Sequence, residues 1–128
     1  MSRPPAKELT DRELEIMHVF WQHGELTASA VRDRLAEQGR ELAYTTVATL
    51  VRILVEKGYV RQTNSARPYN YRPQRPFQEV SRRIVRDLVD RVFHGSRAGL
   101  LLQLMEDDEL SDAERKLLQK IAEEDRHE

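Results

Sequence analysis

The sequence predicts a mostly α fold with a small β-hairpin, organised as one compact domain followed by a helical arm. Three observations predict it. The first 58 residues hold three short stretches whose apolar residues recur at helical spacing, each stopped by a glycine. Two extended runs around a turn-rich middle come next, and the remainder is leucine-rich, with more apolar surface than a short arm can fold over. With 128 residues there is room for one core plus an appendage, and too little for two full-sized cores.

In chain order, Thr10 and Glu13 have the spacing of a capping box, and Leu14, Met17, Phe20 and Trp21 share one helical face up to Gly24. Thr27 is placed to cap a second helix that turns Ala30, Val31 and Leu35 inward and ends near Gly39. Leu26, just before that cap, fits a short buried extended stretch able to pair with a later hairpin. A third helix begins near Ala43, carries Val47, Leu50, Val51 and Leu54 as its core stripe, and stops at Gly58. Tyr59–Thr63 and Tyr69–Arg72 read as the hairpin, with Asn64–Pro68 as its turn and Pro73 and Pro76 closing it. Pro76 suits the first turn of a long fourth helix with Phe77, Val80, Ile84, Leu88 and Val92 in register. Ser96 suits the cap of a fifth helix, and Ser111 with Glu114 forms the capping box of a sixth.

Charge is sorted along the chain. Residues 1–60 sum to −1, residues 61–97 to +6 and residues 98–128 to −6. An arginine-rich middle beside an acidic tail suits a protein oriented by a polyanion before contact. The absence of cysteine excludes disulfides, thiolate chemistry and cysteine metal sites. No apolar run reaches membrane-spanning length, so a cytoplasmic protein is expected, with no membrane insertion. His18, His23, His94 and His127 are scattered, His18 and His23 are five apart where a shared metal favours four, and Glu106–Glu109 lacks the alternation and glycine of a calcium loop. No catalytic group, metal or cofactor is therefore expected.

Three helices followed by a hairpin is the order of a winged helix-turn-helix, whose recognition helix enters the major groove. With the core stripe committed, the third helix presents Thr45, Ala48, Thr49 and Arg52 outward, with Tyr44 and Thr46 at its start. Small hydroxyls allow close approach to the groove, and an arginine can reach a guanine edge or a phosphate. Arg61, Arg67 and Arg72 of the hairpin suit the backbone, while Tyr69 and Tyr71 fit a half-buried hairpin. The DNA-binding residues expected are Tyr44, Thr45, Thr46, Thr49, Arg52, Arg61 and Arg67. In the arm, Ile84, Leu88, Val92, Leu100, Leu101, Leu104, Leu117, Leu118 and Ile121 are expected to bury themselves against a second copy, giving a homodimer on a palindromic operator. The expected organisation is a disordered N-terminus (1–8), a winged-helix DNA-binding domain (9–75) and a C-terminal helical dimerisation region (76–128).

The stretches Leu9–Trp21, Ala43–Val60 and Leu100–Leu110 resemble the BlaI/MecI penicillinase repressors, and the likeness runs from Leu9 to about Ile121. The resemblance implies a dimeric repressor of antibiotic-response or related genes. It also implies a sensor protease that relieves repression by cutting the tail. Relatives cut in this way carry Asn-Phe where this chain has Gln103-Leu104, which marks those two residues as the candidate cleavage position. The cysteine pairs of the copper-responsive branch are absent. Two other classes compete: a winged-helix protein–protein interaction module, which an apolar outer face on the third helix would favour, and a small-molecule-sensing repressor of similar shape.

Overall fold

The computed structural model describes residues 8–106 and 108–126. Apart from Glu8, the N-terminus expected to be disordered lies outside the described residues, as do Asp107 and His127. The chain divides into two compact units, one running through Val80 and the other from Ser81 onward.

The first unit holds α1 (Asp11–His23), β1 (Leu26–Thr27), α2 (Ala28–Glu37), α3 (Tyr44–Lys57), β2 (Val60–Gln62), β3 (Asn70–Pro73) and the first turn of α4 (Phe77–Val92). Helix α1 starts where its capping box places it: the Thr10 hydroxyl accepts from Glu13 N–H at 3.2 Å, and the Thr10 N–H donates to Glu13 Oε1 at 2.9 Å. The Thr27 hydroxyl caps α2 by accepting from Ala30 N–H at 3.1 Å. Gly58 ends α3 in the left-handed conformation, φ +84°, that a β-carbon would strain. The three strands form an antiparallel sheet in the order β1-β3-β2, with Leu26 opposite Tyr71, and Val60, Arg61 and Gln62 opposite Pro73, Arg72 and Tyr71. The short strand at Leu26 therefore does pair with the hairpin, although Leu26 is half-buried against the core and not fully buried as expected.

The core is Ile16, Met17, Val19, Phe20, Val31, Leu35, Val47, Val51, Leu54, Tyr59, Val60 and Val80, all buried. Local spacing misjudged some members. Ile16 and Val19 are fully buried while Leu14 is only half-buried, because α1 is enclosed by α2, α3 and β3 and buries a wider face than one stripe. Leu50 and Ala30 are half-buried, and Ala28 takes an inward place in α2. Pro73 ends β3 instead of following it. Pro76 stands just outside α4, its carbonyl accepting from Val80 N–H at 3.2 Å.

The second unit holds the rest of α4, then α5 (Arg97–Met105) and α6 (Asp112–Arg126). The Ser96 hydroxyl caps α5 through Gly99 N–H at 2.9 Å, and Ser111 and Glu114 form the reciprocal capping box of α6 at 3.0 and 3.1 Å. Gly99 admits the Phe93 ring to within 3.1 Å of where a β-carbon would stand. Val89, outside the expected stripe of α4, is the apolar side chain this unit buries among the described residues, whereas Ile84, Val85, Leu88, Val92, Leu102, Leu104, Leu117 and Ile121 remain exposed.

Candidate nucleic-acid interface

Helix α3 is fixed from behind by Val47, Val51 and Leu54, which are fully buried, so its opposite face is determined. Tyr44, Thr45, Thr49 and Arg52 are exposed there, with Thr46 and Ala48 partly covered. Arg52 makes no ion pair among the described residues. From Leu42 to Val55 the chain carries no acidic residue, so nothing on this face repels a polyanion until Glu56.

The wing is shaped by Asn64. Its side chain donates to the carbonyls of Ala66 and Pro68 at 3.0 and 3.1 Å and accepts from Asn70 N–H at 2.7 Å, so one amide closes the turn. Arg67, at that turn, lies over the Tyr69 ring at 5.7 Å. A hydrogen bond to the Tyr69 phenol holds its guanidinium above the ordinary range, with smaller contributions from Tyr44 and Tyr71. Tyr71 is half-buried against the core, and burial, aided by Tyr44 and Tyr69, raises its phenol above the ordinary value. Arg61 and Arg72 face each other across β2 and β3, both exposed. Like charges directly opposite are mutually unfavourable, and an anion between them removes that cost.

Two buttresses hold this surface, and sequence spacing revealed neither. Lys57 Nζ, at the end of α3, donates to Glu13 Oε1 at 2.7 Å and to the Glu8 carbonyl at 3.0 Å. The two side chains are 16% and 4% exposed, so this is a largely buried ion pair joining α1 to α3. Burial opposes the charge on Glu13, but Lys57 and the capping hydrogen bonds from Thr10 outweigh it and hold the carboxyl below its ordinary 4.5. Arg75 is the second buttress. Its guanidinium lies over Tyr59 at 5.4 Å, donates to the Gly58 carbonyl at 3.3 Å and pairs with Glu79 at 3.3 Å, while its own carbonyl accepts from Trp21 Nε1 at 2.9 Å. Neither Lys57 nor Arg75 carries a local signal. Asn64 did carry one, being a turn-forming residue type.

His18 is exposed but lies 5.3 Å from the Trp21 ring centroid and 6.1 Å from that of Phe77; His23 and His94 are exposed. Among the described residues no group of three His, Cys, Asp or Glu is placed to hold a metal ion, and no helix is long and apolar enough to cross a membrane. In the second unit, Ile84, Leu88, Val92, Leu104, Leu117 and Ile121 are exposed, whereas Leu100, Leu101 and Leu118 are half-buried. Val85 and Leu102 add to the exposed apolar surface. Gln103 and Leu104 are both exposed within α5, so their peptide bond lies in a formed helix.

A three-helix core, a three-stranded antiparallel wing and a polar outer face on the third helix define a winged helix-turn-helix protein. The sequence profile of the penicillinase repressor family matches residues 9–124, and the chain belongs to that family, one of transcriptional repressors. It is 26% identical to the penicillinase repressor of Bacillus licheniformis over 117 residues, 91% of each chain. It is 22% identical to the methicillin resistance regulatory protein MecI of Mammaliicoccus sciuri over 114 residues, 89% of this chain and 92% of that one. Among solved structures, the DNA-binding domain of the repressor BlaI superposes with a TM-score of 0.50 at 25% identity, covering 62% of this chain and 93% of that domain.

Proposed function

We propose that this protein is a DNA-binding transcriptional repressor that occupies a palindromic operator as a homodimer. The observation that carries the reading is the outer face of α3: Tyr44, Thr45, Thr49 and Arg52 are exposed on a helix locked from behind, with no acidic residue from Leu42 to Val55. In this reading Thr45, Thr46, Thr49 and Arg52 face base edges in the major groove, and Arg61 and Arg67 of the wing track phosphates. An apolar patch, which a protein-docking winged helix would present, is not what this face offers. The exposed apolar side chains of the second unit supply the surface for a second copy, and two-fold symmetry then sets two recognition helices on two half-sites.

Fluorescence anisotropy of the full chain on DNA from its own upstream region, against a scrambled duplex and across a salt series, tests the reading. Sequence-selective binding with a steep salt slope is expected. Equal weak binding to both duplexes would favour a protein-interaction module. Arg52→Ala is expected to cost about 1–3 kcal/mol on the operator and much less on scrambled DNA; matched losses on both would remove Arg52 from base reading.

A further inference from the structure

We infer that Arg32 of α2, laid over the ring of Tyr44, is a phosphate-backbone contact of the winged unit, and that Tyr44 is the residue that positions it. This rests on the DNA-binding reading above.

The Arg32 guanidinium carbon stands 5.9 Å from the Tyr44 ring centroid. Ser29 and Asp33, on the same helix, hold it there: Nη2 donates to Ser29 Oγ at 3.4 Å and to Asp33 Oδ1 at 3.1 Å, and Nε donates to Asp33 Oδ1 at 3.3 Å. Tyr44 is 48% exposed, a large aromatic that the core does not need. On the wing, Arg67 lies over Tyr69, and Tyr44 and Tyr71 are both within its electrostatic reach. Three elements distant in sequence, α2, the start of α3 and the wing turn, thus present a guanidinium, a phenol and a second guanidinium on one surface. Asp33 is the acidic side chain touching this group, and it is 64% exposed, free to turn toward water when an anion arrives.

The chemistry fits a phosphate better than a base. A guanidinium over a ring is held in place without using its N–H groups, and once the Asp33 carboxylate turns away the Nε–Nη2 edge it occupied is the fork that matches two phosphate oxygens. In a helix-turn-helix the helix before the recognition helix crosses the backbone, so α2 meets phosphates and α3 meets base edges. The sequence pattern placed Tyr44 among the readers and left Arg32 out. The stack assigns both to the backbone.

The test uses the full chain, by anisotropy, on a duplex enriched from a random library and on a scrambled duplex, between about 50 and 200 mM salt. Arg32→Ala is expected to weaken both about fivefold and to lower the salt slope by about 1. Arg32→Lys restores the slope but only part of the affinity, because the ammonium keeps the charge and loses the fork. Asp33→Asn tightens both duplexes about twofold by removing the competing carboxylate. In a Tyr44→Ala background, Arg32→Ala costs less than it does alone, since the ring that holds it is gone. Thermal unfolding of Arg32→Lys, which keeps the stem and charge at a half-buried position, and of Asp33→Asn, at an exposed one, should match the parent, which separates lost contact from lost fold. Unchanged affinity and slope for Arg32→Ala, or a loss confined to the enriched duplex, overturns the inference while leaving the DNA-binding reading intact. A parent protein that binds neither duplex overturns the reading itself, and the inference with it.

Discussion

The two units of this chain solve the problem of burial differently. Through Val80, twelve of the described residues, from α1, α2, α3, the start of α4 and the wing, close on one another, and even an ion pair, Glu13 with Lys57, is taken largely out of water. From Ser81 onward, the rest of α4 with the well-capped α5 and α6 buries, among the described residues, one apolar side chain, Val89, and leaves eight large ones exposed. Side-chain caps and helical spacing occur in both, so local signals do not distinguish them. What differs is the number of directions from which each helix is covered. Helix α1 is packed by α2, α3 and β3, whereas within its unit α5 packs chiefly on α6. A helix covered on one side has an apolar face to spare, and in water that face is stabilised by a partner.

The comparison breaks most easily in the arm. Leu88 is 41% exposed in the single chain, so Leu88→Asp removes only part of its internal packing and places an unpaired charge in any interface formed there. Association should weaken by about 4 kcal/mol, roughly a thousandfold, leaving a monomer in sedimentation at micromolar concentration. A dimer that survives would move the interface elsewhere. The winged unit should respond next most strongly to Glu13→Gln, which strands Lys57 in a mostly buried site and should cost about 2–3 kcal/mol in urea unfolding. The folded carboxyl is held below 4.5, so as pH falls the unfolded chain takes up a proton first. The stabilisation is therefore complete above that ordinary value and is lost as pH falls through the lower, folded one. Glu13→Gln should flatten this acid decline, and an unaltered pH profile would show that the pair does not stabilise the fold. The smallest effect is expected at the wing, where Asn64→Ala removes three hydrogen bonds at a partly exposed turn and should cost about 1 kcal/mol in stability. Because the turn carries Arg67, the same variant should weaken binding to all DNA alike; a selective loss on the operator would make the wing a reader of sequence.

Much of the helical layout of both units was legible in the sequence because its determinants are local. The capping box of Thr10 and Glu13, the caps at Thr27, Ser96 and Ser111, and the stop at Gly58 each act within one helical turn. The apolar stripe of α3 was legible for the same reason, and with it the outward set of Tyr44, Thr45, Thr49 and Arg52. Ile16 and Val19 were not, since a second buried face depends on what packs there. Val89 escaped notice because the stripe of α4 runs through Ile84, Leu88 and Val92, and those are the residues left exposed.

The sequence by itself determined where helices begin and end, which face of α3 turns outward, that a basic middle adjoins an acidic tail, and, through residues 9–124, the family to which the chain belongs. Only the tertiary structure decided that Glu13 meets Lys57 across 44 positions, that Arg75 ties Gly58, Tyr59, Trp21 and Glu79 together, and that Arg32 lies on Tyr44. The physical reason is one of range. Caps and stripes are set by backbone geometry repeating every few residues, whereas an ion pair or a ring stack is set by where separate helices come to rest.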